Sequence, residues 1–176
     1  MTLSPAELKD RYADQWGLGN QRVEIVQKWL ALFGIASEKV GHGTDTSGRI
    51  EGFHASAGDR FDLYAPLCDT YFEVTGTDWL KSASGKRYGK PMLTVLKAKV
   101  DSAKYYNLDG KLLFAYVADI MGEVRFMPCP KVPWYSLCHY EQGGGAYYAV
   151  PWDDWMKPCF VLPRLVKASL KARCGK

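Results

Sequence analysis

Asp62 and Glu73 sit eleven residues apart, each inside a short apolar run: Arg60-Phe-Asp-Leu-Tyr for the first and Thr70-Tyr-Phe-Glu-Val-Thr for the second. Two carboxylates at the ends of paired strands suit a small, hard cation, which takes one or two carboxylates plus waters and phosphate oxygens. Side chains alternate along a strand, so Glu73 and Thr75 share a face and the backbone carbonyl of Val74 becomes a further candidate ligand. A metal held there would activate water and stabilise charge on an attacked phosphodiester, which is nuclease chemistry. Taken singly, either acid reads first as an outward-facing strand residue; it is the pair in this order that points to a site.

The surrounding elements must bring those acids together. Ser4, Pro5 and Glu7 start a short helix over 4–16, which Gly17-Leu-Gly19-Asn20 is expected to break. A stronger helix follows over 20–33, with Val23, Val26, Leu30 and Phe33 at helical spacing, Gly34 as its stop, and Glu24 beside the apolar stripe. Residues 49–55 and 60–65 read as a hairpin turning at Ser56–Asp59, and 70–75 as a third strand ended by Gly76. Beyond a lysine-rich loop and Pro91, Met92, Leu96, Lys99, Ala103 and Tyr106 share one face of an expected helix of about fifteen residues. A lysine in that stripe must snorkel to the surface or meet a buried acid. Asn107–Gly110 ends the helix. Lys111–Ile120 reads as a central buried strand, Gly122–Met127 as another, 128–145 as a loop, Ala146–Val150 as a late strand, and the chain after Pro163 as a basic amphipathic helix.

The order is a helix carrying Glu24, strands carrying Asp62 and Glu73, then a lysine-bearing helix. It resembles the PD-(D/E)xK nuclease superfamily of restriction enzymes, archaeal Holliday junction resolvases and RecB-type nucleases. The matching parts are Gly19-Asn-Gln-Arg-Val-Glu24, Phe61-Asp62-Leu-Tyr, Phe72-Glu73-Val-Thr-Gly76 and Lys99-Val-Asp-Ser-Ala103, within roughly residues 19–120. The resemblance implies a restriction-endonuclease-like α/β core, a central mixed β-sheet flanked by helices. It also implies a Mg²⁺ or Mn²⁺ cofactor bound by Glu24, Asp62, Glu73 and the Val74 carbonyl, with DNA as substrate. The family usually has a lysine where Thr75 stands. Lys99 is the first candidate to replace it and Lys81 the next; otherwise the site works with metal alone or is dead.

At 176 residues, 47% hydrophobic and 24% charged, the chain fits one globular domain, a core at about 19–127 with an aromatic and basic extension at 128–176. No apolar run approaches a membrane span and no signal pattern opens the chain, so a cytoplasmic location is the expectation. Five irregularly spaced cysteines argue for thiols in a reducing compartment, although Cys129, Cys138 and His139 leave a metal site open. The net charge of +4 is modest. Its distribution is not even: Lys81, Lys86, Arg87, Lys90, Lys97 and Lys104 form a candidate phosphate-tracking set, and Arg164 to Lys176 holds five basic residues and no acid. A homodimer is the simplest way to cut two strands. The alternatives are a nuclease fold that binds nucleic acid without cutting, and an assembly protein using 128–155 as a contact surface.

Overall fold

The structure, a computed structural model, describes residues 5–40, 61–77, 92–118, 122–136, 138–142 and 145–174. Helix α1 (Pro5–Leu32) is one element of 28 residues, not two. Gly17 lies inside it, because a helical glycine costs only about 1 kcal/mol and the flanking turns outweigh that. A Cβ added at Gly17 would meet nothing within 4 Å. Gly17→Ala is therefore expected to stabilise the fold by about 0.5–1 kcal/mol, raising Tm by about 1–4 °C in a thermal melt. The helix ends as expected, with Gly34 at φ 73° just beyond it.

The main sheet has five strands in the order β1 (Glu38–Lys39), β2 (Leu63–Ala65), β3 (Thr70–Thr77), β5 (Leu112–Ala118), β6 (Glu123–Pro128). β3 and β5 run parallel and the other neighbours antiparallel, which is the mixed α/β sheet expected of the chain. Every residue of β5 is buried, matching its unbroken apolar sequence. Of the hairpin expected over 49–65, only β2 falls among the described residues.

Four expectations give way. Met92–Leu96 is a strand, β4, and the helix that follows, α2 (Lys97–Tyr105), has nine residues rather than fifteen. The 4-3-4-3 spacing imitates a helix, but Leu-Thr-Val-Leu is β-prone and pairs with β8 (Gly145–Pro151). The region 128–145 is not simply a loop: it contains the short helix α3 (Val132–Tyr135) and β7 (Cys138–Gln142). β4, β8 and β7 form a second, three-stranded sheet. The last helix, α4 (Pro158–Cys174), begins five residues before Pro163 and carries it inside. Both Pro163 and Cys159, whose carbonyl loses its helical donor, are exposed, so water can satisfy that carbonyl.

Two apolar cores flank the main sheet. Val23, Val26 and Leu30 of α1 and Val161 and Leu162 of α4 pack with Phe72, Ala115, Val117 and Phe126 on one face. Phe61, Val95, Val100, Phe114, Tyr116, Trp152 and Trp155 fill the other. Cys129 is buried in this second core, and burial pushes its thiol up to about 12, so it is no nucleophile at neutral pH.

Candidate active site

The register of β2 against β3 places the acids. A tight turn over Pro66–Asp69 joins the strands, with Asp69 at φ 49°. Lys111 Nζ donates to Asp69 Oδ2 at 2.5 Å and Tyr64 Oη to Asp69 Oδ1 at 3.1 Å. The Lys111 ammonium holds the Asp69 carboxyl below the usual carboxylate range. That turn sets Leu63 opposite Phe72, Tyr64 opposite Tyr71 and Ala65 opposite Thr70.

The ladder changes character one residue further on. The Asp62 N–H donates to the Phe72 carbonyl at 3.0 Å, and the Asp62 carbonyl accepts from the Val40 N–H at 3.2 Å. The Val74 N–H then donates to a side chain, Asp62 Oδ2, at 2.8 Å. A carboxylate has taken the place of a strand carbonyl. Asp62 is only 7% exposed, and its Oδ1 has no partner among the described residues. Thr75, Gly76 and Thr77 run on past the end of β2 and pair with Tyr116, Val117 and Ala118 of β5. An extended residue turns its N–H and C=O to the same edge, so the Val74 carbonyl faces the Asp62 side.

Glu73 and Thr75 lie on the sheet face away from α1, as the alternation with buried Phe72 requires. Lys99, on the first turn of α2, reaches Glu73: its Nζ donates to Glu73 Oε2 at 2.9 Å. The two side chains are 24% and 13% exposed, so the pair is partly shielded from water and stronger than a surface bridge. The Lys99 ammonium also lies 5.9 Å from the centre of the buried Phe61 ring. The first turn of α2 has no acidic residue and no side-chain cap, so the helix end adds positive potential beside Lys99.

The other candidates are placed differently. Glu24 is exposed on α1, which packs against the opposite sheet face. Among the described residues no three His, Cys, Asp or Glu side chains gather as a metal-holding group. Lys97 is engaged locally, donating to Asp101 at 2.5 Å, and Lys104 is exposed near the end of α2. Lys81, Lys86, Arg87 and Lys90 lie outside the described residues.

Arg22 was not singled out by the sequence. Gly76 does not end β3 but lies within it, where the Val117 carbonyl of β5 and the Arg22 side chain both come too close for a Cβ. A Cβ on Gly76 would stand 2.6 Å from Arg22 Nε and 2.5 Å from the Val117 carbonyl oxygen. The available signal was the glycine itself, since a glycine inside a strand often marks a close approach.

A five-stranded mixed sheet with helices packed on its face defines an α/β protein. The solved structure of D212, a nuclease from a fusellovirus, superposes with a TM-score of 0.57 at 18% identity, covering 97% of this chain and 98% of that one. That likeness shows the shared fold. The viral/archaeal nuclease family matches residues 19–157, and the chain belongs to that family. A relative from Sulfolobus spindle-shape virus 1, the uncharacterized protein D-244, is 28% identical over 113 residues, which is 57% of this chain and 46% of the relative. The chain thus spans less than half the length of that relative. Among the described residues no helix is long and apolar enough to cross a membrane.

Proposed function

We propose that the protein is a metal-dependent nuclease that hydrolyses DNA phosphodiester bonds. In this reading Asp62, Glu73 and the Val74 carbonyl hold Mg²⁺ or Mn²⁺, and Lys99 supplies the charge that the lysine usual in PD-(D/E)xK nucleases would bring where Thr75 stands. The observation that carries it is the 2.9 Å approach of Lys99 Nζ to Glu73, beside an Asp62 carboxylate fixed on the next backbone N–H. The donor set fits the ion: it is all oxygen, and Asp62 keeps Oδ1 unpartnered among the described residues. The metal, when bound, supplies Lewis acidity and a water of lowered pKa.

The chain's own residues do the rest. The Val74 N–H fixes the Asp62 carboxylate in one rotamer, so a ligand is oriented before any cation arrives. Lys99 balances the charge of Glu73 and brings an ammonium to the site, where a phosphodiester oxygen needs one. The Thr75 hydroxyl lies on the same face as Glu73 and can hydrogen-bond a water or phosphate without adding charge.

A second reading is a binding protein without catalysis. It draws on the same ion pair, since a lysine locked on a glutamate is also a stable structural contact. Purified protein incubated with linear and supercoiled DNA separates the two. Cleavage should require Mg²⁺ or Mn²⁺, stop with EDTA, and fall by at least 10²-fold in Asp62→Asn with Mn²⁺ affinity reduced in calorimetry. Cleavage that survives both Asp62→Asn and Glu73→Gln would remove the site assignment.

A further inference from the structure

We propose that Tyr64 and Tyr71 form a stacking platform for one unpaired base of the DNA strand whose phosphate sits at Asp62 and Glu73, so that the substrate is a single strand or the unpaired end of a duplex. The proposal rests on the nuclease reading for the phosphate and on the sheet for the rings.

The platform stands on the site's own face. Tyr71 precedes Glu73 by two residues on β3, and Tyr64 is paired with Tyr71 across the β2–β3 ladder. Side chains alternate along a strand, so both rings share the Glu73 face, about 6.8 Å along β3 from Glu73. One sugar bridges such a gap between a phosphate and its base. Tyr71 packs against the core that holds Phe114 and Tyr116, which fixes its side of the sheet. The Tyr64 and Tyr71 ring centroids are 4.6 Å apart at a tilt of 34°, and Phe61 follows at 5.8 Å from Tyr71. The Lys99 ammonium lies 5.9 Å from the Phe61 ring. The aromatic row therefore ends at the Lys99–Glu73 pair.

Access and charge then select the ligand. Phe61 is buried, whereas Tyr64 and Tyr71 are partly exposed. Tyr64 is held in place, because its hydroxyl donates to Asp69 and its ring lies on Tyr71. A ring so fixed loses little freedom when a base stacks on it. Glu38, opposite Tyr64 in β1, is exposed, and Lys111 is spent on Asp69. With two acids beside it, Tyr64 disfavours a phosphate and tolerates an uncharged base. A base within a duplex is already stacked on its neighbours, so the ring suits an unpaired one. A cross-strand aromatic pair also stabilises a sheet, so a readout that packing alone does not move is required.

The test uses the full chain carrying Glu73→Gln, so that binding is read without cleavage. A single-stranded oligonucleotide substituted with iodouracil is irradiated on the protein, and peptide mass spectrometry should place the crosslink on Tyr64 or Tyr71. Anisotropy then compares a labelled single strand, a duplex with an unpaired end and a blunt duplex. Tyr64→Leu should weaken the first two by about 5–150-fold, the loss of one stacked base, and the blunt duplex by less than about twofold. Tyr64→Phe keeps the ring and should bind single strands within about twofold of its parent. The slope of log K against log salt should not change in Tyr64→Leu, because no phosphate contact is lost. Crosslinks that avoid both tyrosines, or equal losses on single strand and blunt duplex, would each overturn the proposal. The crosslink needs no variant, so it decides the matter even where Tyr64→Leu unfolds. If Tyr64 governs single-strand binding while the wild type cuts no DNA with Mg²⁺ or Mn²⁺, the catalytic reading fails and the platform stands. If the wild type cuts and Tyr64→Leu binds single strands like its parent, the platform alone fails.

Discussion

Lys99→Met is expected to lower kcat on DNA by about 10²–10³-fold, equivalent to about 2.7–4 kcal/mol of transition-state stabilisation. Methionine keeps most of the unbranched stem and removes the ammonium, so loss of side-chain bulk is not the cause. Mn²⁺ affinity should change little or rise, because Glu73 loses the cation that competes for its oxygens. Stability should fall modestly, by about 1–3 kcal/mol, since a 13% exposed carboxylate loses its hydrogen-bonded partner. Circular dichroism at the assay temperature shows whether the variant is still folded. Thr75→Lys then provides the decisive arm. Residue 75 lies two positions along β3 from Glu73 and on the same face, so a lysine there can return positive charge to the site. The double variant Lys99→Met with Thr75→Lys should recover at least tenfold of the lost rate. A Lys99→Met enzyme that cuts within threefold of wild type would show that the ion pair is structural and that Thr75 marks a site without a lysine role.

The candidate site was easier to pick out in the sequence than the scaffold around it. Asp62 and Glu73 stood out because acids inside apolar, β-prone runs are costly without a purpose. Lys99 stood out for the same reason in a helical stripe, and it does lie on a helix beside Glu73. Yet the helix expected around Lys99 fails in its first half, because periodicity over so short a segment does not separate a strand from a helix. The partner that decides it, β8, lies more than fifty residues away in sequence. Gly17–Asn20 misled in the opposite direction: a helical glycine costs only about 1 kcal/mol, too little to break a helix that continues on both sides. The mixed sheet followed from the alternation of strands and helices, whereas the second sheet depends on a long-range pairing that no local signal carries. Glu24 shows the limit of motif order: it occupies the right place in sequence, but stands exposed on the helix that covers the other face of the sheet.

Gly76→Ala is expected to destabilise the fold by about 3 kcal/mol, the upper range for overpacking, and to lower Tm by about 6–12 °C. The added methyl would sit 2.5 Å from the Val117 carbonyl oxygen and 2.6 and 2.7 Å from Arg22 Nε and Cδ. Those neighbours differ in how far they can yield. Arg22 is a long side chain that can swing away at the cost of its present interactions. Val117 O is backbone of β5, a strand buried along its whole length and bonded to β3 on one side and β6 on the other. Moving it means parting β3 from β5 at Gly76↔Val117, next to the Thr75↔Tyr116 pair that shares the Glu73 face. Activity should therefore fall along with stability, and more steeply than the folded fraction. Arg22→Ala combined with Gly76→Ala tells the two clashes apart. Because the backbone clash remains, the double variant should recover less than half of the lost stability in urea unfolding. Full recovery would place the conflict at Arg22 alone and show that β5 gives way more easily than its burial suggests.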